Sequence, residues 1–466
     1  MNLYVFLFVA CANAQRIALY HLHTVSPSIR DYMTDDKEPQ PSKKCLGRND
    51  PHPYDTGIDD VYSMDVMEMC HGADFTNLIL KEDHRVELDM SDCQSHPTWG
   101  LTLKDAGKNL WSKSVLLPRS QIPGVDFVYT QCRDTLKSFR GGHRTYSNLK
   151  IQPYKLPNLV LSKHSETKPN VLVLLLDSIS WKRMELFLPK TFEFLQHMNA
   201  AYAFKLTSTM GHNTSPNAKV IFGNGDVFKE ARGMATSLFE DYSPEHAVAK
   251  MYPYQHYRIS GKNILKNYGS DITKLYYRNN VPGCMHGEFW IQQHLRYIRK
   301  FWDIYPNTRK FHISKTYGCH MPIQNKLTCA QNDVPLEHFL KHFANMYKNT
   351  YLFLMSDHGF HWRKKSKFNE IVAGEYEHRN PMLYVISPKR HENLESNTQR
   401  FVSHYDVHKT LHYLLSGKQS PIGKKLITQQ IPDKRSCQDA GVPKKWCNCF
   451  VKTDGRNHLH SQKGEI

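Results

Sequence analysis

The chain has 466 residues, 40% of them apolar and 23% charged, with a formal net charge of +17 at pH 7. That length exceeds one minimal domain and suits a large α/β core with appendages, while the two fractions exclude wholesale disorder. The basic balance allows attraction to polyanions such as anionic glycans, but the basic clusters are dispersed and read more simply as a solvated face, and no nucleic-acid reading module is recognisable.

Met1–Ala14 reads as a signal peptide: Leu3–Ala10 is apolar and Ala12, Asn13 and Ala14 form an A-x-A cleavage site, although the usual leading Lys or Arg is missing. No later stretch approaches the ~20 apolar residues of a membrane span, so the expectation is a secreted, extracellular protein. Of 11 cysteines, Cys11 leaves with the leader. The even number that remains argues for disulfides, with the pairing left open. Residues 15–156 read as a small N-terminal β-rich, cysteine-containing region. Phe127–Thr130 and Leu149–Ile151 are strand candidates there, between Gly, Pro and Asp turns.

Pro157 and the polar Ser162–Pro169 stretch open a second region, 157–415, where strands alternate with helices as in a mostly parallel sheet flanked by helices. Val171–Leu176 is an unbroken apolar run, the pattern of a strand buried on both faces. A helix follows near Pro189–Asn199, with Pro189 suited to its first turn. Another, Glu288–Asp303, places Ile291, Leu295, Ile298 and Phe301 on one face. Phe311–Ser314, Tyr351–Met355 and Met382–Ile386 read as strands. Leu336–Tyr347 and Asp406–Leu415 read as helices, the latter with Asp406 as its cap. Residues 416–466 form a polar, Lys-rich segment held by three cysteines.

The chemistry concentrates at two strand ends. The Val171–Leu176 run ends on Asp177, and Tyr351–Met355 passes through Ser356 into Asp357 and His358. Acids at the carboxyl ends of parallel strands face the crevice where such sheets bind ligands, and clustered carboxylates call for a cation to offset them. Between them lies Gly211–Asn217, in which Thr214 can open a helix and face a metal. Metal coordination is one way to activate a poor hydroxyl nucleophile. Asp177, Thr214, Asp357 and His358 therefore form a candidate site for one divalent metal ion, with zinc, calcium, magnesium and manganese not distinguishable. Asn213 opens a formal glycosylation sequon, and a glycan there would block the site, so Asn213 is expected to be buried and unmodified.

That ordering resembles a known family. Leu174–Ser180, Asn213–Asn217, Met355–Gly359 and Ser436–Cys449 together look like a secreted animal family of the alkaline phosphatase/sulfatase superfamily, the domain-of-unknown-function family 229. Cys45–Pro51 is a fainter likeness. The resemblance implies an alkaline phosphatase/sulfatase-like fold with the metal at the strand ends. It implies Thr214 as nucleophile, in the place of the sulfatase C-x-P cysteine, and Asp177, Asp357 and His358 as metal ligands. His320, in an H-x-P element, and Arg379 would be substrate-binding, with Glu375 and Pro381 in the segment lining the same cleft.

Two departures accompany it. A threonine cannot become the formylglycine of sulfatases. Thr316 also stands where two-metal relatives place an aspartate, four residues before His320. The stretch from Gly223 to Tyr276 is short for the family as well. The expected function is a secreted metal-dependent hydrolase or transferase of phosphate or sulfate esters. The alternative is a catalytically decayed sulfatase-like protein that binds anionic glycans or a protein partner.

Overall fold

The computed structural model describes residues 168–240, 288–320, 327–361, 372–418 and 422–453, together with short strand segments elsewhere. The expected signal peptide Met1–Ala14, Cys45–Pro51, most of 241–283 and the basic run at Arg363–Lys367 lie outside the described residues. Between 77 and 151 the described segments are antiparallel strands. Four pair in the order Trp111–Val115, Trp99–Leu103, Phe127–Arg133 and Thr145–Ile151. Three more pair in the order Asn77–Leu80, Val86–Asp89 and Arg119–Ile122. Both strand candidates of this region are present, each longer than its apolar core suggests, because ladder pairing extends through polar residues such as Thr145 and Arg133.

The second region is built on a seven-stranded sheet. Its strands are β1 (Asn170–Leu176), β2 (Ala201–Ala203), β3 (Ala235–Glu240), β4 (Arg258–Ser260), β5 (Lys310–Thr316), β6 (Thr350–Met355) and β7 (Leu383–Ile386), in the spatial order β4-β3-β5-β1-β6-β7-β2. The five strands from β4 to β6 in that order are parallel, whereas at the other edge β7 is antiparallel to β6 and β2 antiparallel to β7. β1 is central, and the alternation of its side chains divides the core in two. Leu172, Leu174 and Leu176 enter one cluster with Ile291, Leu295 and Ile298, while Val171, Val173 and Leu175 enter the other with Ala218, Ile221, Val407 and Leu411. A strand apolar on both faces thus requires helices on both faces.

The helices on the first face include α1 (Trp181–Phe187), α2 (Pro189–His197), α4 (Trp290–Ile304) and α5 (Asp333–Met346). Those on the second include α3 (Thr214–Ile221) and α7 (His404–Ser416). The α6 helix (Val372–Arg379) stays near the carboxyl edge of the sheet: Gly359 N donates to His378 O at 3.0 Å and Ser356 N to Met382 O at 2.9 Å. The described residues that follow β6 and those that precede β7 lie at the same edge, and β7 pairs antiparallel with β6. The cap of α7 needs correction. Ser403 is the N-cap, and Asp406 sits one turn inside, its Oδ2 accepting from Ser403 N at 2.9 Å in a capping box. Among the described residues no helix is long and apolar enough to cross a membrane.

Candidate metal and ester site

Adjacent parallel strands with matched register explain how residues 180 positions apart meet. Leu175 pairs with Met355 across β1 and β6, so the residues two further on, Asp177 and Asp357, emerge side by side at the carboxyl edge. Both are fully buried. Ser178 bends the chain sharply with φ of 60°, a conformation that costs a non-glycine residue about 1–3 kcal/mol and is retained where surrounding contacts enforce it. Here its Oγ donates to Asp177 Oδ1 at 2.9 Å and its N to Asp357 Oδ1 at 3.3 Å.

The two remaining predicted ligands join them. Thr214 is the first residue of α3, half-buried, and its Oγ1 donates to Asp177 Oδ2 at 3.2 Å. His358 Nδ1 lies 2.8 Å from Gly359 O, which assigns the proton to Nδ1 and turns the bare Nε2 towards the acids. That nitrogen is 3.6 Å from Asp357 Oδ2 and 3.9 Å from Asp177 Oδ1. Asp357 Oδ2 and His358 Nε2 are buried without a hydrogen-bond partner. Neighbouring ligand atoms on a tetrahedral zinc with bonds of about 2.0–2.2 Å sit roughly 3.4 Å apart. Two orphaned atoms and a carboxylate oxygen at this spacing fit a divalent cation.

Two charged residues at the site escaped the sequence reading. Lys315, at the end of β5, places Nζ 2.6 Å from Asp177 Oδ2 and 3.6 Å from Glu240 Oε1, with all three side chains essentially excluded from solvent. Burial alone would raise the Asp177 carboxyl, but the Lys315 ammonium against it holds it well below the ordinary carboxylate range. Burial would likewise lower the Lys315 ammonium, and Asp177, Glu240 and Asp357 outweigh it, holding the group above an ordinary lysine. The sequence carried a partial signal for Lys315: the strand candidate ended at Ser314, one residue short of it. Glu240 had none, because β3 was not recognised.

Histidines surround the mouth. His320 stacks on Tyr317 with ring centroids 4.2 Å apart and lies 6.3 Å from the His358 ring. His361 is 5.2 Å from His358 and 4.6 Å from both His212 and His378. His378 Nε2 sits 2.8 Å from His212 O. Burial pushes His378 down to about 2 and also lowers His320. His358, His361 and His378 form a second possible ligand group. A third, Cys437, Cys447 and Cys449, is accounted for by oxidation, since Cys437 and Cys447 form a disulfide and Cys449 is also disulfide-bonded. The second described bridge, Cys319–Cys329, ties down the residue before His320.

The remaining predicted residues lie as follows. Arg379 is buried, and its Nη1 donates to Cys447 O at 3.3 Å. Pro381 bridges to Ser180, whose Oγ donates to Glu377 Oε2 at 2.6 Å. The Glu375 side chain lies outside the described residues. Thr316 Oγ1 accepts from Gly318 N at 3.3 Å. Asn213 overturns an expectation: it is exposed, because it is the N-cap of α3 and its Oδ1 accepts from Ser215 N at 3.2 Å at the solvent-facing end of the helix.

The fold can be set beside solved structures. The C-terminal periplasmic domain of EcEptC from Escherichia coli, in complex with Zn, matches with 12% identity and a TM-score of 0.41, covering 66% of this chain and 97% of that one. The lipoteichoic acid synthase LtaP from Listeria monocytogenes matches with 10% identity and a TM-score of 0.41, over 65% and 90% of the two chains. A phosphonate monoester hydrolase of Agrobacterium radiobacter matches with 14% identity and a TM-score of 0.38, over 61% and 80%. No curated protein matches the sequence. The family model described as "Protein of unknown function (DUF229)" matches residues 101–246 and 226–463, and the chain belongs to that family.

Proposed function

We propose that the protein is a secreted, metal-dependent hydrolase or transferase of phosphate or sulfate esters with Thr214 as its nucleophile. One observation carries the reading. Asp357 Oδ2 and His358 Nε2, both buried and without hydrogen-bond partners, face Asp177, and the Thr214 hydroxyl is held against that same carboxylate.

In this reading Asp177, Asp357, His358 and Thr214 would hold one divalent ion, with zinc, calcium, magnesium and manganese all compatible with an oxygen-rich set containing one imidazole. When bound, the ion supplies Lewis-acid stabilisation of charge on the ester oxygens and lowers the cost of deprotonating a hydroxyl. Asp177 Oδ2 accepts the Thr214 hydrogen bond and so fixes the direction of the hydroxyl. The α3 amino terminus behind Thr214 favours an anion. His320, at the mouth, has an N–H to offer a non-bridging oxygen of the ester, and Arg379 is the second substrate-side residue.

The test is metal analysis of the purified protein, with Asp357→Ala as control, followed by assays on aryl phosphate, phosphodiester and aryl sulfate. About one equivalent of metal in the wild type, its loss in the variant, and an activity abolished by Thr214→Ala would support the reading. Equal, near-zero metal in both proteins and no activity would favour the second reading, a decayed member that binds anionic glycans or a protein partner. The Lys315–Asp177 contact favours that alternative, because it already offsets one carboxylate without any metal.

A further inference from the structure

We infer that Lys315 is a built-in second cation, which fixes Asp177 as a one-oxygen ligand and limits the site to a single divalent ion. The inference rests on the metal-binding reading above and concerns a residue which that reading does not use. Three carboxylates converge at the carboxyl edge of β3, β1 and β6: Glu240, Asp177 and Asp357. Glu240 and Lys315 are register partners on β3 and β5, and Lys315 is in turn the register partner of Leu175, two residues before Asp177. The pairing of three neighbouring strands therefore directs the ammonium between Glu240 and Asp177, at 3.6 and 2.6 Å.

The two oxygens of Asp177 are thereby made unequal. Oδ2 receives Lys315 and Thr214, at 2.6 and 3.2 Å, whereas Oδ1 is the oxygen turned towards His358 Nε2. A carboxylate pinned in this way offers one oxygen to an ion beside His358 and Asp357. Among the described residues at this edge the charges also balance. Three carboxylates are matched by one ammonium and one divalent ion, and burying an unbalanced excess would be costly. Lys315 is a positioning residue: it touches a ligand, not the ester.

Replacing Lys315 by alanine removes the ammonium and leaves a buried space bordered by Asp177 Oδ2, Glu240 Oε1 and the Thr214 hydroxyl, an oxygen set suited to a divalent ion. Isothermal titration of metal-stripped protein with Zn2+ is the test. The expected result is one equivalent for wild type and Lys315→Arg, two for Lys315→Ala, and one again for Glu240→Gln combined with Lys315→Ala. One equivalent in Lys315→Ala, with wild-type affinity, would overturn the proposal. Should the alanine protein fail to fold, Lys315→Met removes the charge and keeps the side-chain volume, so its thermal midpoint with and without Zn2+ tests whether the ammonium already offsets the carboxylates that the ion would offset. A Zn2+-induced rise larger than that of wild type is expected, and an equal or smaller rise refutes the inference. Zn2+ binding to none of the proteins rejects the metal reading itself and this inference with it, an outcome distinct from one equivalent throughout.

Discussion

Ser178 holds a left-handed backbone conformation that its side chain does not favour, and the reason lies in its neighbours. Its Oγ and N reach Asp177 and Asp357, and the Oγ is also 3.4 Å from His358 Nδ1. Ser178→Gly should relax the backbone and leave the thermal midpoint unchanged or slightly raised. If Asp177 and Asp357 hold the proposed ion, losing an outer hydrogen bond to them should at the same time weaken Zn2+ binding by about 10-fold or more, measured by competition with a chromophoric chelator. A variant that loses stability and keeps its affinity would show that the serine serves the fold instead.

His312, also fully buried, raises a different residue-scale question. Both its ring nitrogens lack hydrogen-bond partners, and Tyr297, Phe301 and Trp302 surround it with centroids at 5.7, 5.7 and 6.5 Å. Burial, with a smaller push from His294, lowers it to about 3. The unfolded chain protonates this histidine near its ordinary value of about 6.5. Below that pH the unfolded state binds a proton that the folded state refuses. Stability therefore falls as pH drops from about 6.5 towards 3, by about 1 kcal/mol per unit from this group. His312→Phe should be more stable near neutrality and show a shallower acid limb. Urea midpoints at pH 7, 6 and 5, with metal chelated in both proteins, would reveal it.

At the scale of elements, the junction of β6 and α6 governs the site. Gly359 follows His358 directly, and a Cβ there would collide with the Glu377 carbonyl of α6, a backbone atom with no room to yield. Gly359→Ala should cost about 2–3 kcal/mol by overpacking. Because the strain falls beside Asp357 and His358, it should also lower Zn2+ affinity, and a urea melt paired with a titration separates the two effects. How much of this was legible in the sequence depends on where the information resides. The double-faced apolar pattern of β1 is local, and so is the acid that ends it, so Asp177, Asp357 and His358 could be nominated without coordinates. Lys315 and Glu240 could not, since their meaning depends on β5 lying between β3 and β1, a fact of pairing. The antiparallel direction of β7 was hidden for the same reason. The cap of α7 was missed by three residues because Asp406 and Ser403 are both good capping types, and only the hydrogen bonds distinguish N-cap from third position.

For the whole molecule, the issue is what the segment after α7 contributes. It is fastened to both α7 and α6. Arg435 forms a two-pronged bond to Asp406, Nη1 to Oδ2 at 2.7 Å and Nη2 to Oδ1 at 2.9 Å, and also donates to Phe401 O at 3.1 Å. Nearer the candidate site, Ser208 Oγ donates to Trp446 O at 2.7 Å and Arg379 reaches Cys447 O. The Cys437–Cys447 bridge closes a loop of 10 residues, for which chain entropy predicts about 3 kcal/mol. Removing one partner of a buried ion pair typically costs about 3–5 kcal/mol, because the other charge is left uncompensated. Asp406 keeps backbone donors from Ser403 and Lys424, so Arg435→Met should fall at the lower end of that range. A double-mutant cycle with Asp406→Asn should return a coupling of about 1–3 kcal/mol in urea melts, since the amide leaves less charge for the arginine to offset. If the segment were an appendage, both the arginine variant and a Cys437→Ser, Cys447→Ser pair would leave the melt of the α/β core in place. The bonds from Arg435 into the first turn of α7 argue instead that the core and the segment unfold in one transition. Two resolved transitions in the wild-type melt would refute that coupling.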